Sequence, residues 1–346
     1  MPRLLALCCA VFLAASAFAQ YDESIDVSRV LLDVRVTRTG GDPILDLTPP
    51  DFTVSIGGAA ARVLSASWVD ENSGAKRADE LAALGADEKD LLLRPAASWD
   101  GARLVVVFVQ TDFGRQPTRV RRQMGFNRYA EKIVNSFHPD DRVAVLSFDS
   151  HLKLRADFTR DRDVVTRAIR ESIQIDHPAA VAADAEPSLA KLLDRDAMNR
   201  TTSSEQALTL LGEALGRIEG PKTLLLAGWG LGDKVGPILV MKSEWRKART
   251  ALLNAHATVF ALNTGVGGEL TAGLEFAAQE TGGFHARTWE FPDQVVNRLE
   301  RTMRGHYELE LALDKPLAAG THAIAVKVNR RGAIVLAATS ITLAEQ

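Results

Sequence analysis

The stretch Gly228-Trp-Gly-Leu-Gly232 follows the expected strand Lys222 to Ala227, and its composition comes nearest in this chain to a loop that cradles phosphate. Glycines in such a loop let backbone N–H groups approach a pyrophosphate closely. The third glycine of G-x-G-x-x-G falls on Asp233, which sets a negative charge where the anion would lie, and the next apolar run ends in Asn263 where a ribose-binding acid is expected. Nicotinamide binding is therefore not expected. The glycines read as a sharp turn, with Trp229 exposed or packed above it. None of the seven histidines stands four residues from another, so the paired spacing of a helical zinc site is absent. There is no Gly-x-Ser-x-Gly elbow and no Gly-Lys-Ser/Thr loop. Asp140-Asp141 read as turn residues before a strand, Arg119-Val-Arg-Arg122 as a solvated helix face, and Asn199-Arg-Thr201 as a glycosylation sequon. The expectation is a protein that is not an enzyme.

The elements that would position these residues begin with a leader. Arg3 precedes the apolar run Leu4 to Ala14, and Ala17-Phe18-Ala19 forms a small-x-small cleavage site. Residues 1–19 thus read as a secretory signal peptide, giving a periplasmic or secreted protein with no transmembrane segment after cleavage. Both cysteines, Cys8 and Cys9, lie within it, so the mature chain has no thiol, disulfide or thiolate metal site. The 346 residues carry 41 Lys and Arg against 44 Asp and Glu. That balance gives no basic field for phosphate backbones, and nucleic acid is excluded as a partner.

Residues 22–70 read as an N-terminal β segment, with Val30, Leu32, Val34 and Val36 on one face and Arg29, Asp33, Arg35 and Thr37 on the other, and further strands at Phe52 to Ile56 and Ala61 to Trp68. Residues 71–100 read as a linker with a short helix over 80–93. Over 101–303 apolar strands alternate with amphipathic helices, the pattern of an α/β, mostly parallel sheet covered on both faces. Strands are expected at Leu104 to Val109, Arg142 to Phe148, His151 to Arg155, Lys222 to Ala227, Thr258 to Asn263 and Phe284 to Ala286. Helices are expected over 118–136, 161–175, 204–218, 238–254, 271–281 and 292–303. Residues 304–346 return to β patterning. Two or three strands seldom hold alone, so the two β segments are expected to join in one β-sandwich-like module with the α/β domain inserted between them.

Taken in order, Arg103-Leu-Val-Val-Val-Phe-Val109, Asp140-Asp-Arg-Val-Ala-Val-Leu-Ser-Phe-Asp149, Thr202 followed by Ala207-Leu208, and Glu280-Thr-Gly-Gly283 resemble a von Willebrand factor A-type domain. With Asp33-Val-Arg-Val36, the Gly40-Gly41 turn and Leu47-Thr-Pro-Pro-Asp-Phe52, nearly the whole mature chain is similar to the exported "VWFA-related" proteins of bacteria. The resemblance implies a Rossmann-like fold and a metal-ion-dependent adhesion site, where hard oxygen ligands at the carboxyl ends of the strands hold a cation such as Mg²⁺. Its Asp-x-Ser-x-Ser triplet falls here on Gln110, Asp112 and Gly114, its Thr on Thr202 and its last Asp on Gly228.

One carboxylate, one hydroxyl and one amide oxygen are too little charge for firm cation binding, so the adhesion site is expected to be degenerate and to need no cofactor. A shifted Mg²⁺ site on Asp112, Thr202 and Asp233 is the alternative. The ordinary reading is that Asp112 caps the loop before Pro117 and Thr202 caps the helix after it. The expected function is binding of an unidentified protein partner through the loops at Gln110 to Gln116, Asn199 to Ser204 and Gly228 to Asp233, with Phe113 and Trp229 as aromatic anchors. The alternative is a structural or assembly component of the envelope that acts through its β module.

Overall fold

The computed structural model describes residues 28–71, 102–111, 126, 129–174, 178–264, 270–313 and 317–343. The expected leader, the expected helix at 80–93, Arg119 to Arg122, Asp112, Phe113 and Gly114 lie outside the described residues.

Strands β1 (Ser28–Thr37), β2 (Phe52–Ile56) and β3 (Ala59–Asp70) precede the α/β region. Within it come β4 (Leu104–Gln110), β5 (Arg142–Phe148), β6 (Leu152–Thr159), β7 (Lys222–Gly228), β8 (Asp233–Val235), β9 (Ile238–Val240), β10 (Ala257–Asn263) and β11 (His285–Arg287). After it come β12 (Gly305–Leu313), β13 (Gly320–Val328), β14 (Ile334–Ala337) and β15 (Ser340–Leu343).

The two ends of the chain do share one sheet, of order β14-β1-β12-β3-β2-β13-β15. β12 lies between β1 and β3, with Tyr307 opposite Val34 on one side and Trp68 on the other. The edge strands β14 and β15 are separated by only two residues of chain, so the sheet curls until its ends meet. A single curled sheet takes the place of two distinct layers. Its core holds Val34, Val54, Ile56, Leu309 and Leu311. The buried Tyr307 ring meets Phe52 and Trp68 edge-on, while its hydroxyl donates to the carbonyl of Ile44 and accepts from the N–H of Leu47.

The second sheet has the order β11-β10-β7-β4-β5-β6, with every pair parallel except β5 with β6. Its central strands are buried along their whole length because helices cover both faces. Leu104, Val106 and Phe108 face one core, and Val105, Val107 and Val109 the other. The 161–175 helix forms as Arg162–Gln174, and 129–135 are helical within the expected 118–136. The expected helix over 238–254 begins only at Ser243, because Ile238 to Val240 pairs with Asp233 to Val235 in a small hairpin turned by Gly236-Pro237.

Residues 178–203, with no pattern of their own in the sequence, cover the sheet's β6 edge. Asp157 of β6 accepts hydrogen bonds from the Ser188 hydroxyl at 2.5 Å and from the N–H groups of Leu189 and Ala190 at 2.8 and 3.2 Å. Leu152 N–H donates to the Thr201 hydroxyl at 2.8 Å. Asp157→Ala leaves a buried hydroxyl and two N–H groups without acceptors, an expected loss of about 2 kcal/mol. Thermal unfolding measures that loss, and faster proteolysis within 178–203 than in the parent marks the uncovered edge.

The two modules meet over a polar seam. Arg35, expected on the solvent face of β1, is buried and donates to Glu71 at 2.6 Å and to the Thr258 hydroxyl of β10 at 3.0 Å. At its Arg35 and Thr37 end that parity of β1 is covered, while Arg29 at the other end is exposed. Glu71, expected to open a linker, is part of this core and also meets His306 at 2.8 Å. The Gly40-Gly41 turn lies flush on the helix Pro292–Thr302. Gly41 has φ +89°, and a Cβ there would stand 2.6 Å from the Arg298 carbonyl.

Candidate functional site

β4, β5, β7 and β10 run parallel, so the end of β4 at Gln110, the loop after Gly228 and the start of the helix Ser204–Leu215 come together at the carboxyl end of the sheet. The centre of that end is the side chain of Gln110, 1% exposed. Its Nε2 donates to the Ser204 hydroxyl and to the Gly230 carbonyl, both at 2.8 Å. Its Oε1 accepts from the N–H of Trp229 at 2.9 Å and of Gly230 at 3.3 Å. A primary amide has two donor hydrogens and two acceptor lone pairs, and these four bonds use all of them. Gly228 is the residue that admits the amide, since a Cβ there would stand 2.1 Å from Oε1.

Around this clamp the other candidate residues fall into place. Thr202 is exposed and spends both its N–H and its hydroxyl on Oε1 of Gln206, at 2.9 and 3.0 Å. The helix cap is instead Ser203, whose hydroxyl accepts from Gln206 N–H, so the expectation for Thr202 is corrected by one residue. Ser204, one position further, supplies the hydroxyl that reaches Gln110. Asp233 sits on the exposed β8–β9 hairpin and pairs with Lys242 at 3.6 Å. Trp229 is partly buried.

Sequence reasoning passed over Glu205. Its carboxylate is buried in the first helical turn, accepts from Gly232 N–H at 2.8 Å and lies 3.8 Å from Lys242 Nζ. An acid at that position also complements the positive end of the helix. The Ser203-x-x-Gln206 spacing is a capping-box signature that would have placed the helix start, and Ser204 and Glu205 with it.

These bonds decide what the site can hold. A divalent cation of the Mg²⁺ type needs about six oxygen ligands with substantial negative charge. Here the Gln110 oxygen faces two N–H donors, Gly228 supplies no carboxylate, and the hydroxyl of Thr202 is committed to Gln206. Among the described residues no three of His, Cys, Asp and Glu gather as a metal site requires. Gln110, Thr202 and Gly228 as placed do not fit the cation, and Asp112 and Gly114 lie outside the described residues. The phosphate-loop reading fares no better, because the N–H groups of Trp229, Gly230 and Gly232 already point at side-chain oxygens of Gln110 and Glu205.

A mostly parallel sheet with one antiparallel edge strand, helices on both faces and the candidate loops at its carboxyl end is the arrangement the sequence resemblance implies. The strand directions, with helices on both faces, fit the Rossmann-like fold of von Willebrand A-type domains. No family model and no curated protein matches the chain. Similar solved structures include a von Willebrand factor type A protein from Catenulispora acidiphila, at 9% identity over 90% of this chain and 72% of that one, TM-score 0.40. Another is the vWF domain of the type V pili tip protein Mfa5 from Porphyromonas gingivalis, at 10% identity over 58% and 94%, TM-score 0.38. A third is proximal thread matrix protein 1 from the mussel byssus, at 16% identity over 58% of this chain and 47% of its own, TM-score 0.39. The chain thus spans under half the length of the mussel protein.

Proposed function

We propose that this chain is an exported, non-enzymatic binding protein that presents the carboxyl end of its von Willebrand A-type sheet to a protein partner and does so without a divalent cation. The observation that carries this reading is the Gln110 amide, which ties the end of β4 to the helix Ser204–Leu215 and to the loop after Gly228 by neutral hydrogen bonds at the place where the resemblance puts charged ligands. With no ion for a partner's carboxylate to complete, recognition rests on apolar and hydrogen-bonded contacts. Trp229 and the neighbouring β8–β9 hairpin, where Val235 and Ile238 are 62% and 64% exposed, supply apolar surface beside the clamp. Export rests on the signal-like residues 1–19.

Two measurements test the reading together. Calorimetric titration with Mg²⁺ and Mn²⁺ is expected to give no saturable heat below about 1 mM, whereas a tighter event abolished by Asp112→Ala would overturn it. Capture of a partner from native envelope extract is expected to survive EDTA and to weaken by about tenfold or more in Trp229→Ala. Loss of capture in EDTA alone would instead place an ion in the contact.

A further inference from the structure

A cavity of about 570 Å³ opens along the seam between the two modules, between the helix Pro292–Thr302 and the Gly40 turn. Arg287, Glu290, Phe291, Gln294, Arg298 and Arg301 line it. Two of its three guanidinium groups are matched within the protein, Arg301 with Asp42 at 3.0 Å and Arg287 with Glu290 at 3.6 Å. Arg298 is not. Among the described residues no carboxylate meets it and no acceptor takes a hydrogen bond from it, although its Nε is buried. Its guanidinium lies over the ring of Phe284, 4.0 Å from the centroid. Stacking of that kind holds the group flat against the wall while leaving its N–H donors in the plane of the fork.

A half-buried guanidinium with no counter-charge is a cost to the fold, since burial alone pushes its pKa down and nothing offsets it. Such a group is satisfied by a ligand that brings the missing charge. A carboxylate matches a guanidinium fork with two parallel hydrogen bonds. Beside it, Phe291 is 57% exposed and Val295 adds apolar wall, so the body that carries the carboxylate is apolar or aromatic. Glu290 also lines the cavity, but Arg287 neutralises it, and the summed charge of the lining remains positive. A volume of this size suits a small organic acid or the last residue of a chain.

We infer that this seam cavity is a carboxylate-binding site, in which Arg298 takes the acid group and Phe291 takes the apolar body that bears it. It is lined by different residues from the Gln110 site and does not depend on the function proposed for that site.

The test uses N-acetyl-phenylalanine, its neutral carboxamide and benzoate, titrated into the mature protein and followed by calorimetry and by the arginine Nε–H signals in NMR. The acid is expected to bind about tenfold more tightly than the carboxamide and to shift the Arg298 Nε–H signal. Arg298→Gln is expected to remove that preference, and Phe291→Ala to weaken the acid by about threefold. Benzoate binding as tightly as the peptide acid identifies a free organic acid as the source, and preference for the peptide acid identifies a chain terminus. Equal binding of acid and carboxamide, an undiminished acid affinity in folded Arg298→Gln, or no saturation below about 20 mM would each overturn the assignment. Should Arg298→Gln fail to fold, the acid-to-carboxamide ratio in the parent and the exposed Phe291→Ala variant decide it.

Discussion

Replacing Glu71 with alanine is expected to lower the unfolding free energy by about 3–5 kcal/mol, the cost of stripping one partner from buried charges. Glu71 is buried between Arg35 at 2.6 Å and His306 at 2.8 Å, and Arg35 and His306 are themselves almost wholly buried. Without the carboxylate two cations would face only Asp33, which lies 3.4 Å from His306 and is about a third exposed, 31%, so water screens it. The same cluster fixes the pH dependence. Burial alone would push the His306 imidazolium down, but the Asp33 charge and hydrogen bonds to Asp33 and Glu71 outweigh it and raise the pKa from 6.5 to about 9. Burial raises Glu71, and the charge of Arg35 with the hydrogen bond from His306 more than reverses this, lowering it from 4.5 to about 2.

The signs then follow from linkage. The raised histidine contributes stability that is complete below 6.5 and is lost as pH rises towards 9. The depressed acid contributes stability that is complete above 4.5 and is lost as pH falls towards 2. Urea unfolding of the parent should therefore be most resistant between these two limbs. His306→Gln should flatten the alkaline limb and shrink the acid limb to the part of Glu71's depression that Arg35 maintains. An alkaline limb unchanged in that variant would show that the imidazole is neutral in the folded protein.

Gly228→Ala is expected to cost about 3 kcal/mol, although it adds a single methyl group to a strand end. The methyl would occupy the space of the Gln110 amide, and displacing that amide breaks bonds to Ser204, Trp229 and Gly230 together. The mechanism has a sharp signature in a double-mutant cycle. In a Gln110→Ala background, where no amide stands in the way, the same Gly228→Ala change should cost less than about 1 kcal/mol. Equal penalties in the two backgrounds would mean that strain in the strand, and not the amide, excludes a side chain at Gly228. Urea midpoints at unchanged slope provide the comparison.

Much of the architecture is readable from local pattern. Leu104 to Val109 and Leu224 to Ala227 are uninterrupted apolar runs, as strands covered on both faces require, and Val30 to Val36 alternates because one face of β1 meets the core. The remainder depends on contacts between distant residues. Gln110 and its partners Ser204 and Gly230 are 94 and 120 positions apart, so nothing near Gln110 announces a clamp. Arg35 reads as a surface residue until strand pairing sets Glu71 beside it and the docking of the two modules brings Thr258 to it. The β8–β9 hairpin was hidden because Ile238 and Met241 continue a helical stripe through Trp245, and only Gly236-Pro237 argues for a turn. Residues 178–203 conceal their role because the bonds that hold them come from Asp157 and Leu152 on another element.

Asp70 and Gly305, the last residue of β3 and the first of β12, are paired neighbours, so the inserted domain hangs from two stems that leave the sheet at the same end. The helix Pro292–Thr302 runs directly into β12, and a pull on the domain in the direction of that strand loads it along its length, beside its neighbour about 4.8 Å away. Each stem is flanked by a further strand, β1 beside β12 and β2 beside β3, so traction is resisted by rows of backbone bonds strained in shear. A protein that grips at its tip gains from such a root, because tension is borne by the sheet before it can unravel the grip.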